Sequence, residues 1–89
     1  MNSNVDWVLQ IDPKVEKALK KIPQNNARRI VSVIQQLPIN PYAGDIQKMK
    51  GEKNVWRRRV GEYRIFYEVL TSESILNVFR VERRTSSTY

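Results

Sequence analysis

The chain has 89 residues, with sixteen Lys plus Arg against nine Asp plus Glu, no His and no Cys, a formal charge of +7 and a pI near 10.1. That length fits one small domain (1–89) burying roughly 60–65% of its unfolded surface; the missing Cys exclude disulfides and thiolate zinc sites, the missing His exclude an imidazole acid–base pair, and no apolar run approaches the ~20 residues of a membrane span. The charge favours an RNA, DNA or acidic protein partner, with the cytoplasm as the default compartment.

Val5, Trp7, Leu9 and Ile11 alternate with Asp6 and Gln10, which predicts a half-buried strand over 5–11 with Val8 as the exception. Asp12-Pro13 is a helix start, because Asp caps free N–H groups and Pro fits the first helical position. Val15, Leu19 and Ile22, with Ala18 beside them, form the apolar stripe of a short first helix. Pro23 ends it and opens a second, in which Ala27, Ile30, Val31, Ile34 and Leu37 recur at helical spacing until Pro38. Lys17, Lys20, Lys21, Arg28 and Arg29 read as the solvated outer face of this helical hairpin, with a partner-binding groove as the alternative.

The stretch 38–51 carries the turn signals Asn40-Pro41, Ala43-Gly44-Asp45 and Gly51, so it predicts an ordered connection with little regular structure, anchored by Ile46 and Met49. Asn54 to Val69, NVWRRRVGEYRIFYEV, predicts a β-hairpin turning at Gly61-Glu62. A last strand over 75–81 follows, then Arg83, Arg84 and a tail ending in Tyr89. The order β-α-α-β-β-β implies an α+β fold in which a two-helix hairpin packs on one face of a mostly antiparallel four-stranded sheet, leaving the other face free.

Strand alternation sets Trp56, Arg58 and Val60 on the helix side with Tyr63, Ile65, Tyr67 and Val69. It gathers Arg57, Arg59, Arg64 and Phe66 on the free face. Like charges there repel, and planar guanidiniums suit phosphate, so this face is the candidate anion-binding surface. Surface ion pairs with Glu62, Glu68 or Glu82 are the competing account. Lys48, Lys50 and Lys53 extend the basic stretch, which from Lys48 to Arg64 holds seven cations and two acids. Arg58 fits neither account: it either snorkels past Trp56 or marks a bulge. In the last strand Ile75, Phe79 and Val81 share one side, Leu76, Val78 and Arg80 the other, and Arg83 continues the Val81 side.

Together KMKGEKNVWRRRVGEYRIFYEV, the later VFRVERR and the terminal Tyr resemble the RelE/ParE superfamily of bacterial toxins over nearly the whole chain. RelE-like members cleave messenger RNA in the ribosomal A site, whereas ParE-like members poison DNA gyrase on the same scaffold. Carried over residue by residue, the RelE pattern implies catalytic roles for Arg57, Arg64, Arg83 and Tyr89. Lys48, Lys50, Lys53, Arg59 and Phe66 are then RNA-binding. The chain departs from RelE at Val55, where that pattern has a lysine. The resemblance further implies a ribosome-dependent endoribonuclease acting on mRNA through 2′-hydroxyl attack, with no metal and no cofactor. It implies an acidic antitoxin as partner in a hetero-oligomer. A gyrase inhibitor and a non-catalytic basic RNA-binding module are the alternatives.

Overall fold

The chain builds β1 (Val8–Ile11), α1 (Pro13–Lys20), α2 (Gln24–Gln36), β2 (Ile46–Lys48), β3 (Val55–Val60), β4 (Tyr63–Leu70) and β5 (Ile75–Arg83), in a computed structural model that describes residues 7–84. The strands form one mixed sheet in the order β1-β5-β4-β3-β2, with β1 parallel to β5 and the other pairs antiparallel. The expected α+β architecture is present, with α1 lying on β5 and α2 on β3. Among the described residues the sheet has five strands, one more than the four expected. Ile46, Gln47 and Lys48 pair with Arg58, Arg57 and Trp56 inside the stretch expected to lack regular structure. Three residues are too few to show a two-residue period. The first strand is also shorter than expected, beginning at Val8; Val5 lies outside the described residues.

Local chemistry explains the helix starts and the hairpin. Asp12 accepts from the Lys14 N–H at 2.9 Å and Pro13 occupies the first turn of α1. Ile22 falls between the helices, where it still packs against the core. In α2 the buried residues are Ile30 and Ile34, followed by Leu37 just past its end. Val31 is exposed, contrary to the expected stripe, and Val33 packs on the core in its place. Between β3 and β4, Gly61 takes φ +58° at the first central position of a two-residue turn, a conformation that favours glycine.

The core lies between the helices and one side of the sheet. Val15, Ile30, Ile34 and Leu37 meet Val60, Tyr63, Ile65, Tyr67, Val69, Leu76 and Val78, so the alternation read from the hairpin holds. Each large apolar side chain so buried contributes roughly 1.5–3 kcal/mol. The assignment of β5 is corrected by a bulge. Tyr67 faces Val78 but Phe66 faces Arg80, which leaves Phe79 as the extra residue. Leu76, Val78 and Val81 therefore share the core side, opposite Val69, Tyr67 and Ile65. Arg80 passes to the open side, opposite Phe66.

Candidate nucleic-acid interface

Two rows of side chains cross the open face of the sheet. One runs Gln47, Arg57, Phe66, Arg80 across four strands, and the next runs Arg59, Arg64, Glu82. Arg57 donates through Nη2 to Gln47 Oε1. Arg59 Nε donates to Asp45 Oδ2 at 2.9 Å, and Arg80 Nε lies 3.6 Å from Glu82 Oε2. Neither Arg57 nor Arg64 forms an ion pair among the described residues, and Arg64 stands directly opposite Arg59. Opposed like charges weaken a sheet; Asp45 offsets Arg59, so the positive potential left unspent on this face lies at Arg57 and Arg64.

Phe66 occupies the same open face yet is only 3% exposed. The guanidinium carbon of Arg80 sits over its ring, 4.2 Å from the centroid, and Phe79 lies beside it with ring centroids 6.4 Å apart. Around this pair opens a cavity of about 440 Å³ that also takes in Met49, Lys50, Val55 and Glu68. Of the expected lysines, Lys50 lines it, Lys48 is an edge residue opposite Trp56 on the helix side of the ladder, and Lys53 is exposed in the loop before β3.

Arg83 lies elsewhere. It pairs in register with Tyr63, whose ring is in the core, and its Nη2 donates to Glu62 Oε1 at 3.0 Å beside the hairpin turn. That hydrogen bond holds its pKa above the ordinary arginine value. The structure thus brings together Arg57, Arg59, Arg64 and Phe66 and leaves Arg83 apart from them; Tyr89 lies outside the described residues.

Arg58 has its explanation here. The β3–β4 register runs without interruption, so there is no bulge at Arg58, and the side chain reaches along the helix side of the sheet to donate to the Ala43 carbonyl at 3.0 Å. Nearby, the Tyr67 hydroxyl donates to the buried Pro41 carbonyl at 2.6 Å. Burial pushes its pKa up to about 12, against a smaller opposing effect of the Arg58 charge. Tyr67 is a structural hydrogen-bond donor, unsuited to take a proton.

Sequence reasoning missed Arg80 as an open-face residue, and with it the cover over Phe66. The signal was present in the spacing: Leu76, Val78 and Val81 break a two-residue period by one, as an inserted bulge residue requires. Arg28 and Arg29, assigned to solvent, line a second cleft of about 520 Å³ between α2 and β3 together with Arg58 and Arg59.

A two-helix layer on one side of a mixed sheet and an arginine-rich opposite side define a RelE-like toxin scaffold. The family described as "ParE toxin of type II toxin-antitoxin system, parDE" matches residues 9–87, and the chain belongs to that family. It is 33% identical over 79 residues to RelE1 of Methanocaldococcus jannaschii, covering 85% of this chain and 88% of that one. Its fold is similar to that in the archaeal RelE–RelB complex from Pyrococcus horikoshii, with a TM-score of 0.79 at 24% identity, covering 92% of this chain and 99% of that one. It is also similar to the RelB–RelE complex from Methanococcus jannaschii, with a TM-score of 0.71 at 30% identity, covering 84% and 90%.

Proposed function

We propose that this toxin is a ribosome-dependent endoribonuclease that cuts messenger RNA in the A site. The observation that carries the reading is the opposed pair Arg59 and Arg64 beside Arg57, with Arg57 and Arg64 lacking carboxylate partners among the described residues. In the reaction a 2′-oxygen forms a bond to the adjacent phosphorus, its proton leaves, and the P–O5′ bond breaks. The products are a 2′,3′-cyclic phosphate and a 5′-hydroxyl that has gained a proton. The phosphorane carries extra negative charge, which Arg57 and Arg64 stabilise. Arg83 assists the leaving oxygen only after it lets go of Glu62 and turns towards the bound RNA, and Tyr89 orients the 2′-hydroxyl or takes its proton. Lys50, Lys53 and Arg59 bind the flanking RNA, with Lys48 at the sheet edge, and Phe66 contributes as the buried seat of Arg80.

Guanidiniums are poor proton acceptors, so alignment must supply much of the acceleration. A ribosome supplies that alignment, and working on it places the protein in the cytoplasm. The +7 charge and the RelE–RelB complexes among similar structures support an acidic antitoxin as partner, forming a hetero-oligomer that covers the basic face.

A second reading, inhibition of DNA gyrase, is favoured by the match to the ParE family and by Val55 in place of a lysine. Purified toxin added to a translating ribosome and, in parallel, to a gyrase supercoiling reaction separates the two. Cuts within the A-site codon with supercoiling untouched support the nuclease. Intact mRNA with supercoiling blocked overturns it.

A further inference from the structure

The cavity beside Arg80 has a chemistry that phosphate binding leaves unused. Its apolar lining is Val55, Met49, Phe66 and Phe79, and the Phe66 ring is covered by a guanidinium instead of an aliphatic chain. The bulge at Phe79 creates this arrangement. An uninterrupted ladder would set Phe79 opposite Phe66, whereas the inserted residue delivers Arg80 there. Covering an open-face Phe needs no cation. Arg80 nevertheless keeps 54% of its side chain exposed while one face of its guanidinium rests on the ring and its Nε lies near Glu82, which leaves the opposite face available. Guanidinium planes are stacking platforms for unpaired bases.

Beside Lys50 and Arg80 the wall carries two carboxylates, Glu52 and Glu68, which bind by accepting hydrogen bonds that a phosphate diester cannot supply. Glu68 Oε1 accepts from Asn77 Nδ2 at 3.2 Å, which orients the carboxylate, and its other oxygen has no hydrogen-bond partner among the described residues. Glu52 also lines the cavity. A carboxylate accepts hydrogen bonds and selects bases by their donors. Adenine and cytosine each offer one amino group on the pairing edge, and uracil offers a single imino N–H. Guanine alone presents an imino and an amino donor side by side, the spacing of two carboxylate oxygens.

We propose that this cavity is a base-recognition pocket for an unpaired guanine of the RNA, in which Arg80 stacks on the base and Glu68 accepts from its N1–H and N2–H. The inference rests on the reading of the open face as an RNA surface, and it adds a specificity determinant distinct from the arginines that hold phosphate.

The test is binding of the four ribonucleoside 5′-monophosphates to the purified full chain, followed by NMR through the ring resonances of Phe66 and Phe79. GMP is expected to shift both rings and to bind about tenfold or more tighter than UMP. Glu68→Gln should bring GMP to the level of the others while leaving stacking intact. Arg80→Ala should weaken all four, and Arg80→Lys, which keeps the charge and covers Phe66 but lacks the plane, should weaken them similarly. Equal affinities in the parent, shifts confined to other residues, or an unchanged preference in Glu68→Gln each overturn the pocket. No cleavage is involved. A toxin that cuts translated RNA while binding all four nucleotides alike loses the pocket and keeps the nuclease reading, and one that prefers GMP without cutting does the reverse.

Discussion

Arg58 donates to the Ala43 carbonyl at 3.0 Å, and its guanidinium occupies the space where a side chain on Gly44 would begin. A Cβ on Gly44 would stand 2.7 Å from Arg58 Nε and nearer still to Cζ, at a residue whose φ of +84° already disfavours L side chains. The arginine thus ties the loop before β2 to β3.

Gly44→Ala is therefore expected to destabilise the fold by about 1–3 kcal/mol, through backbone strain and displacement of Arg58. Urea denaturation followed by tryptophan fluorescence reads this directly. An unchanged midpoint would show that the guanidinium does not need that seat.

The Tyr67 hydroxyl ties the same loop to the core from β4, and it gives stability a specific alkaline limit. Its pKa is raised from 10.0 to about 12 by burial. The folded state therefore keeps this proton where the unfolded chain loses it. The contribution is whole below pH 10 and declines as pH rises towards 12, by about 2–3 kcal/mol in all. Tyr67→Phe should be less stable at neutral pH, because the Pro41 carbonyl loses its donor. Its stability should also fall less between pH 10 and 12 than that of the parent. Parallel slopes in thermal melts across that range would remove Tyr67 as the cause.

On the open face, the directly opposed Arg59 and Arg64 predict opposite effects on activity and stability. Arg64→Ala should lower translation-coupled mRNA cleavage by ~10²–10³-fold, the scale for loss of a group that stabilises transition-state charge. The same change should leave the melting temperature unchanged or slightly raised, since relief of cross-strand repulsion is worth ~0.2–1 kcal/mol. Arg57→Ala should match the loss of activity. A variant that loses activity only in proportion to lost fold would argue against both assignments.

The hairpin and its two faces were legible because each of its strands alternates: Tyr63, Ile65, Tyr67 and Val69 are buried towards the core and Arg57, Arg59 and Arg64 share the opposite side, where Phe66 is buried under Arg80. Two features escaped, one too short to show that period and one that interrupts it. β2 is three residues long and owes its extended form to pairing with β3, a tertiary effect that its own sequence does not encode. The bulge at Phe79 shifts every later residue of β5 by one position relative to β4. Arg58 was set on the correct side by alternation, but its role depends on Ala43 and Gly44, fifteen and fourteen positions away, which no local pattern connects to it.

The guanidinium of Arg83 is engaged by Glu62 away from the arginine row. Assisting the leaving oxygen requires it to exchange that carboxylate for RNA. The pair is exposed on both sides, so salt screens it and its loss should not unfold the protein. Glu62→Gln removes the competing charge and is expected to speed single-turnover cleavage on the ribosome. The gain should be largest at low ionic strength, where the parental pair is strongest. Arg83→Ala should abolish cleavage in both backgrounds without changing the melting temperature. If Arg83→Ala cuts as fast as the parent while Glu62→Gln has no effect at any salt concentration, the pair is a surface contact and the leaving oxygen is protonated with help from another group.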